Sequence, residues 1–567
     1  MIRRGYVTAP DWAIKPDLVA PGVDVLSSTQ DDPLTGCCSD SSGYTRLSGT
    51  SVSAAHVAGA AALMRQRWSW LSAYALRSVL MTTAKTPVWR PDGFAPPPAQ
   101  VMERGSGRID LGADLIGKPA FIYPPSHSFG SHNAGNGPVT VRQSFAISPW
   151  TSNRTWNLAV VETAGNPNLR ATVSPSTLYV DSPKSFTLQV QVNTNVSPGE
   201  YEGFVRLTSG AITLRVPYWI KIVNVPIPPG TILLVDDDRN SEDGTGSSSA
   251  DCSARYISAL NTLGYRFTYW NTRENDTSTQ ADNGTPTQAD MERASAVVWF
   301  TCRDLHTSLN FMSPIEGTEA TELQNYLEVG GRLFITGQDI AYGSAPSFIA
   351  GLGARFCHDP LFDIDTIPTP SIRGTGNALV EPIAGEVQFD IACGGDGAGC
   401  ALYVDEIEPL GNDAVPILFA LPPNDALCQG IVGVKNSSEP TLEAPQEYLG
   451  RSAYLSFGFE DINNDPDLNG REELMKNILD WLQDDVSVVV RCAVDGRTVD
   501  CIATLTSSAG PAPARFRWDL GDGTTLSTGP SASIVHRYGS PGTFTIRVEA
   551  TDSWGHKALD DARVTVR

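Results

Sequence analysis

Between residues 226 and 231 the chain changes its hydrophobic period, and that switch limits its fold more than any other feature of the sequence. Upstream, segments such as FTLQVQV (186–192) and FVRLTS (204–209) alternate apolar and polar residues, punctuated by Pro, Gly and Asn. A period of two with frequent turns predicts an antiparallel β-sandwich. PIPPG at 226–230 reads as a stiff linker. Downstream, TILLVDDD, AVVWFTC and RLFITGQDI read as buried strands, separated by the helix-like ARYISALNTLGY and ATELQNYLEVGG. Strands alternating with helices predict a parallel α/β sheet. AYLSFGFE and the amphipathic REELMKNILDWLQDD close that region, and residues 486–567 return to short alternating strands. Residues 1–118 differ again, with a loop-rich lead-in, a small-residue helix SVSAAHVAGAAALMRQRW after Gly49, and a second helix in 72–84. One core cannot serve all these periods. At ~150 residues per domain, 567 residues are enough for four: 1–118, 119–225, 231–485 and 486–567.

Charge and cysteine usage narrow the class. Lys plus Arg number 41 against 63 Asp plus Glu, a net charge of −22. Such a surface repels phosphate backbones, so nucleic acid is not an expected partner. No run approaches the ~18 apolar residues of a membrane span. Ten cysteines include two local pairs, Cys393 with Cys400 and Cys492 with Cys501, the latter flanking a hairpin-like VDGR. No Cys/His spacing suits a zinc site. The cysteines are either disulfides or scattered buried thiols; the disulfide reading implies an extracytoplasmic home. MIRRGYVTAPDWAIKPD has no apolar core of a signal peptide. An exported protein whose N-terminal leader lies outside this sequence is therefore expected.

The chemistry centres on KPDLVAPGVDVLSS (15–28) and LSGTSVSAAHVAGAAAL (47–63). A serine at a tight Gly-Thr-Ser turn opening a helix projects its hydroxyl from the helix end. Its amide, outside the helical ladder, can donate to a developing oxyanion with the helix dipole assisting. Ser51 is the candidate nucleophile, with Gly49 and Thr50 as motif and oxyanion support.

These residues resemble the subtilisin-like serine peptidases. The match runs through Lys15-Pro16-Asp17, Ala20-Pro21-Gly22, Gly49-Thr50-Ser51 and His56-Val57-Ala58-Gly59. Ala55 stands where the family pattern G-T-S-x-x-x-P-H-V-A-G has proline, and GSGRIDLGADL (105–115) resembles the end of the catalytic domain. The resemblance implies that residues 1–118 are the C-terminal part of such a domain and that Ser51 is the acylated serine. It places the catalytic histidine in an H-G-T-H-like segment and its aspartate in a D-T/S-G segment, both well upstream. Only 50 residues precede Ser51, and none of the histidines at 56, 127, 132, 306, 358, 536 and 556 sits in such a segment. His56, five positions along the helix from Ser51, is expected to be structural. The resemblance also allows calcium, at no identifiable site; no other cofactor and no metal ligands are expected.

Three further resemblances fill the chain. Residues 119–225 resemble the fibronectin-III-like domain that follows the catalytic domain in large subtilases. Residues 231–485 resemble class I glutamine-amidotransferase-like folds, but the candidate elbow FITGQDIAYG (334–343) holds no cysteine and FGFE (457–460) lacks the histidine of His-x-Glu. That domain is expected to be non-catalytic, with Cys302 either in a disulfide, for which Cys252 is the candidate partner, or a buried thiol. Asp236-Asp237-Asp238 ends a strand, where it could hold a divalent cation or form a solvated helix-capping loop. RWDLGDGTTLSTGP and HRYGSPGTFTIRVEATDSWG resemble a PKD domain through Trp518, Asp519, Gly521, Asp522, Gly523, His536, Tyr538, Pro541, Gly542, Asp552 and Gly555.

The expected fold class is multidomain α/β plus all-β: a partial subtilisin-like α/β domain, a β-sandwich, a parallel-sheet α/β domain and a C-terminal β-sandwich. The expected function is that of a portion of an exported serine endopeptidase, inactive alone because its Asp and His segments are missing. Its partners would be protein or peptide substrates in the intact parent, with extracellular polymer or surface binding by the PKD-like domain. Two alternatives are a non-catalytic extracellular binding or adhesion protein with a relic peptidase segment, and an amidase or transferase centred on the α/β domain.

Overall fold

The computed structural model describes residues 13–28, 44–88, 98–151, 153–162, 166–237, 252–272, 284–302, 314–315, 317–358, 371–376, 383–384, 388–391, 404–411, 413–421, 429–437, 439–443, 450–464, 469–507 and 515–567. The chain divides into two compact units, Met1–Pro226 and Ile227–Arg567.

The first unit opens with the antiparallel strands β1 (Val25–Ser28) and β2 (Tyr44–Leu47). Helix α1 (Thr50–Arg67) follows Gly49, whose extended φ of 162° ends the preceding segment. Helix α2 (Ala73–Thr82) starts where Ser72 Oγ accepts the Ala75 amide at 3.2 Å, an N-cap. Two single-turn helices, α3 (Val101–Arg104) and α4 (Ala113–Ile116), lead into the sandwich.

One sheet of that sandwich takes the order β4 (His127–Asn133), β11 (Ile212–Val223), β10 (Gly199–Ser209), β6 (Arg154–Glu162), β8 (Thr177–Val180). The other runs β3 (Phe121–Tyr123), β5 (Val139–Ser148), β9 (Lys184–Val192), β7 (Leu169–Ser174). Period-two patterning explains the packing: in β9, Phe186, Leu188, Val190 and Val192 are buried while Gln191 is exposed. Phe186 stacks on Phe145 of β5 at 5.1 Å. All neighbours pair antiparallel except β11 with β4.

In the second unit a nine-stranded sheet has two halves. β13 (Phe267–Asn271), β12 (Ile232–Asp236), β14 (Ala296–Phe300), β15 (Arg332–Thr336) and β22 (Arg451–Leu455) are parallel neighbours. Beyond β22, strands β21 (Ile431–Ser437), β20 (Ala414–Leu421), β17 (Ser371–Arg373) and β18 (Gln388–Asp390) continue antiparallel. The expectation of a parallel sheet is corrected to a mixed one. Strands β20, β21 and β22 follow one another with no described helix between them, which is the connection antiparallel pairing permits. A separate antiparallel pair joins β16 (Ala354–His358) and β19 (Glu406–Pro409).

Helices α5 (Ser253–Thr262), α6 (Gln288–Met291), α7 (Gly317–Glu328), α8 (Ile340–Gly343), α9 (Pro346–Gly351) and α10 (Arg471–Gln483) accompany this sheet. The inner face of α10 buries Leu474, Met475, Ile478, Leu479, Trp481 and Leu482.

The unit ends in two small sheets: β23 (Val486–Asp495), β24 (Thr498–Ser507), β27 (Ser533–Arg537), and β26 (Thr525–Gly529), β25 (Arg515–Asp519), β28 (Gly542–Thr551), β29 (Lys557–Val566). Trp518 is fully buried between them, and Tyr538 Oη donates to the Leu520 carbonyl at 2.8 Å. The Gly-Asp-Gly turn closes on itself. Asp519 Oδ1 accepts the Gly521 amide and Asp522 Oδ1 the Thr524 amide, each at 3.0 Å.

Candidate active-site serine and its surroundings

The segments singled out around Ser51 are joined in space. The extended stretch through Asp17–Gly22 lies between two others. On one side, the Val19 amide donates to the Gly107 carbonyl at 2.9 Å, the Ile109 amide to the Val19 carbonyl at 2.8 Å, and the Ser106 amide to the Asp17 carbonyl at 3.0 Å. On the other, the Gly49 amide donates to the Gly22 carbonyl at 2.8 Å and Ser53 Oγ to the Ala20 carbonyl at 3.0 Å. Gly105 is required for this approach: at φ 57°, an added Cβ would meet the Pro16 carbonyl oxygen at 2.0 Å.

Asp17 anchors the stretch to α2. Arg77 Nε and Nη2 each donate to its carboxylate at 2.9 Å, as does Lys15 Nζ. Burial pushes the Asp17 carboxyl up, but these bonds more than offset it and hold it below its usual value.

Ser51 is exposed at the second position of α1. The first intrahelical donors are the amides of Val52 and Ser53, both to the Gly49 carbonyl, at 3.2 and 3.4 Å. The amides of Thr50 and Ser51 therefore precede the helical ladder, at the positive end of the helix dipole. Such a turn can present a hydroxyl and donate to an oxyanion together. His56 Nδ1 bonds to the Val52 carbonyl at 3.0 Å. That contact ties the ring to its own helix.

Helix α1 is unusually open. Ala60 and Met64 are its buried residues, whereas Ala54, Ala55, Ala58, Gly59, Ala62 and Leu63 are exposed, Leu63 by 59%. Small side chains of this kind suit a helix packed closely under a sheet.

In the second unit, residues 334–343 turn from β15 into α8. Asp339, at φ 57° and ψ 11°, forms the turn between β15 and α8. Close by, Asp405 Oδ2 accepts the amides of Ala341 at 2.9 Å and Tyr342 at 3.1 Å, and Gln338 Nε2 donates to Asp461 Oδ2 at 3.0 Å. Asp405 was not foreseen, because nothing in VDEIEP marks it as meeting an elbow more than sixty residues away. Glu460 is buried and accepts from Tyr256 Oη at 2.5 Å. Burial, then the Glu460 charge, pushes the Tyr256 hydroxyl well above its ordinary value.

Cys302 is bonded to Cys252, and Cys492 to Cys501, matching two expected pairings. Cys37, Cys38, Cys393, Cys400 and Asp238 lie outside the described residues. Asp236 and Asp237 are not a solvated loop: both are buried. Tyr269 Oη donates to Asp236; Thr272 Oγ1 at 2.7 Å and Trp299 Nε1 at 3.2 Å donate to Asp237.

Among the described residues, two groups bring three metal-ligating side chains together: Cys252, Cys302 and Glu460, and Asp484, Asp552 and His556. The first is closed by its disulfide. Neither is an all-oxygen set of the kind calcium takes, so calcium does not fit either.

The sequence comparisons agree with this organisation. Residues 3–110 match the model of the subtilase family, and residues 485–566 match that of the PKD domain. The chain is 30% identical over 225 residues to the minor extracellular protease Vpr of Bacillus subtilis, covering 38% of this chain and 26% of that one. It is 38% identical over 104 residues to the subtilisin-like protease SBT1.3 of Arabidopsis thaliana, covering 17% and 13%. It thus spans about a quarter of the first relative and less of the second. Among solved structures, the PKD1 domain of the Vibrio cholerae metalloprotease PrtV matches with 22% identity, covering 14% of this chain and 95% of that one, at a TM-score of 0.13. The chain carries a subtilase-family serine peptidase segment. At its other end it carries a PKD domain.

Proposed function

We propose that this chain supplies the nucleophile of an exported subtilisin-type serine endopeptidase, with Ser51 as the acylated residue and Gly49 and Thr50 shaping its turn. The observation that carries the reading is Ser51 exposed at the start of α1, beside amides that precede the helical ladder. Ser51 Oγ attacks the scissile carbonyl carbon, its proton passes to a base, and the oxyanion is held at the helix terminus. Collapse breaks the C–N bond, the amine leaves with a proton, and water hydrolyses the ester.

The base and its orienting carboxylate are to be sought elsewhere, since His56, five positions along α1 from Ser51, is turned well away from it. A triad lacking its base loses on the order of 10⁶ in turnover. On this reading the described residues alone, which bring no base to Ser51, would turn over peptides only very slowly. The exposed small-residue face of α1 agrees with this, as a surface made to pack against further peptidase structure. Export is supported by the two described disulfides and by the relative named an extracellular protease. No helix among the described residues is long and apolar enough to cross a membrane.

A fluorophosphonate probe tests the reading. The purified chain is expected to stay unlabelled, and a form of the protein containing a complete triad to label at Ser51 and not after Ser51→Ala. Labelling of that complete form that survives Ser51→Ala would refute the assignment.

A second reading, a non-catalytic extracellular binding protein, draws on the PKD segment. Val489, Ile502 and Val535 are exposed there, on the sheet of β23, β24 and β27. Retention of the chain on insoluble protein or polysaccharide matrices would support it, and lack of retention would count against it.

A further inference from the structure

The two units differ sharply in charge. Met1–Pro226 carries 19 Lys and Arg against 14 Asp and Glu, a net +5, while Ile227–Arg567 carries 22 against 49, a net −27. Within the first unit the bases are concentrated: from Arg46 to Pro91 there are six Lys and Arg and no Asp or Glu. Screening at physiological ionic strength limits the reach of exposed charges to ~8 Å, so a face acts through its own bases and not through the charge of the whole chain.

The same stretch carries exposed rings. Helix α2 presents Tyr74, 72% exposed, and the turn before it presents Trp70, 57% exposed. Edge strand β3 alternates: Ile122 is buried, so Phe121 and Tyr123 point the other way, with Tyr123 61% exposed. Tyr74 packs against Tyr123 with centroids 6.2 Å apart. Trp70 packs against Phe121 at 6.1 Å and Trp150 at 6.0 Å, perpendicular to both, and those two stack on each other at 5.1 Å. Edge-to-face contacts of this kind hold the rings in fixed orientations.

Cations border the rings. Arg67 lies over the Trp68 ring at 5.5 Å, and Trp68 meets Trp150 at 5.0 Å. Arg77, three residues from Tyr74 on the same face of α2, binds Asp17, which also accepts from Lys15. Arg46 and Lys85 pair with acids of other segments, Asp24 and Asp110.

Several ligand classes meet exposed Trp and Tyr rings edged with cations. An anionic bilayer gains from protruding apolar groups and bases. It has no need of rings locked against one another, and it repels the Asp17 carboxylate, which is 32% exposed. A proline-rich peptide suits aromatic grooves, but its prolines offer carbonyl acceptors without N–H donors. That leaves Asp17 unused and the excess of bases unexplained. A sugar chain bearing carboxylates uses every feature. Its C–H faces lie on the rings, its hydroxyls donate to Asp17 and accept from Arg77 and Lys15, and its carboxylates neutralise the bases.

We propose that this face of the first unit, built from Trp70, Tyr74, Tyr123 and Arg77, binds an acidic polysaccharide and so holds the chain to a uronate-bearing matrix. The site is separate from the Ser51 turn and does not depend on its chemistry.

The test titrates the full chain, disulfides oxidised, with polygalacturonate and follows tryptophan fluorescence. Dextran, vesicles of phosphatidylglycerol and phosphatidylcholine, polyproline and oligothymidylate are the other arms. The expected result is binding to polygalacturonate that weakens as salt is raised, and none to dextran. Trp70→Ala, Tyr74→Ala and Tyr123→Ala should each weaken it about two- to tenfold, the worth of one ring contact, and Tyr74→Phe should retain most of it. Trp70→Ala also removes packing against Phe121 and Trp150. Should that variant fail to fold, Tyr74→Ala decides, since its ring is largely in solvent. The proposal is overturned by a wild type that leaves polygalacturonate unbound, or that binds dextran equally or another arm more tightly. Binding unchanged in Tyr74→Ala overturns it as well.

Discussion

Gly22 sits so close beneath the first turn of α1 that a Cβ added to it would lie 2.0 Å from Ser53 Oγ and 2.9 Å from the Gly49 carbonyl oxygen. The position of Ser51 thus depends on a glycine in another segment. Gly22→Ala should destabilise the first unit by about 1–3 kcal/mol, the usual cost of overpacking. Thermal unfolding of the chain measures it; an unchanged Tm would mean the two segments separate at little cost.

His127 gives the first unit a pH dependence. Its ring packs edge-on against Phe129 at 4.6 Å, and burial lowers its pKa. In the unfolded chain it returns to about 6.5. The unfolded state therefore binds more protons between the two values, and stability falls as the pH drops below about 6.5. His127→Phe should flatten that part of the stability profile, as followed by denaturant unfolding at a series of pH values.

Asp522 does the reverse in the PKD domain. His536 Nε2 lies 2.8 Å from its Oδ2. Burial pushes the carboxyl up, but the bonds from His536 and Thr524 outweigh it and hold the value below the ordinary one. The stability it contributes is complete above about 3.9, the unfolded value, and is lost as the pH falls through the lower folded one. Asp522→Asn should cost about 0.5–1 kcal/mol at neutral pH, the range of a partly exposed pair. The difference from wild type should vanish in strong acid, as circular dichroism melts will record.

Gly337 precedes the Asp339 elbow, and a Cβ there would meet Thr301 Oγ1 at 1.9 Å. Gly337→Ala should destabilise the second unit by about 1–3 kcal/mol by forcing β14 and β15 apart at their ends. Calorimetry of the variant, with the first unit's transition as internal reference, will show whether the loss is confined there.

What could be read in advance follows from where the information resides. The strand β9 and the helix α10 were legible because burial on one face imposes a local period, and α1 because its run of small residues after Gly49 reads as helical. The Ser51 turn was legible for the same reason, its Gly, Thr and Ser being adjacent. Pairing direction was not: the apolar runs of β20 and β21 identify strands but carry no mark of antiparallel neighbours. Asp236 and Asp237 misled as a run of acids, since aspartates are rarely buried unless paired. Their partners, Tyr269, Thr272 and Trp299, come from other strands and loops, 33 to 62 positions on. Asp405 was hidden likewise, its partners Ala341 and Tyr342 being visible only once the chain is folded.

Helix α10 ends at Gln483 and β23 begins at Val486, so Asp484 and Asp485 are the whole connection between them. Two residues reach at most about 7 Å. A load applied at the C-terminus of the chain therefore finds no slack to draw out at this joint. It arrives at α10 as torque, and from there at β14, β15 and β22, against which that helix packs. In mechanical terms the PKD domain is a lever bolted to the sheet rather than a weight hung from a tether.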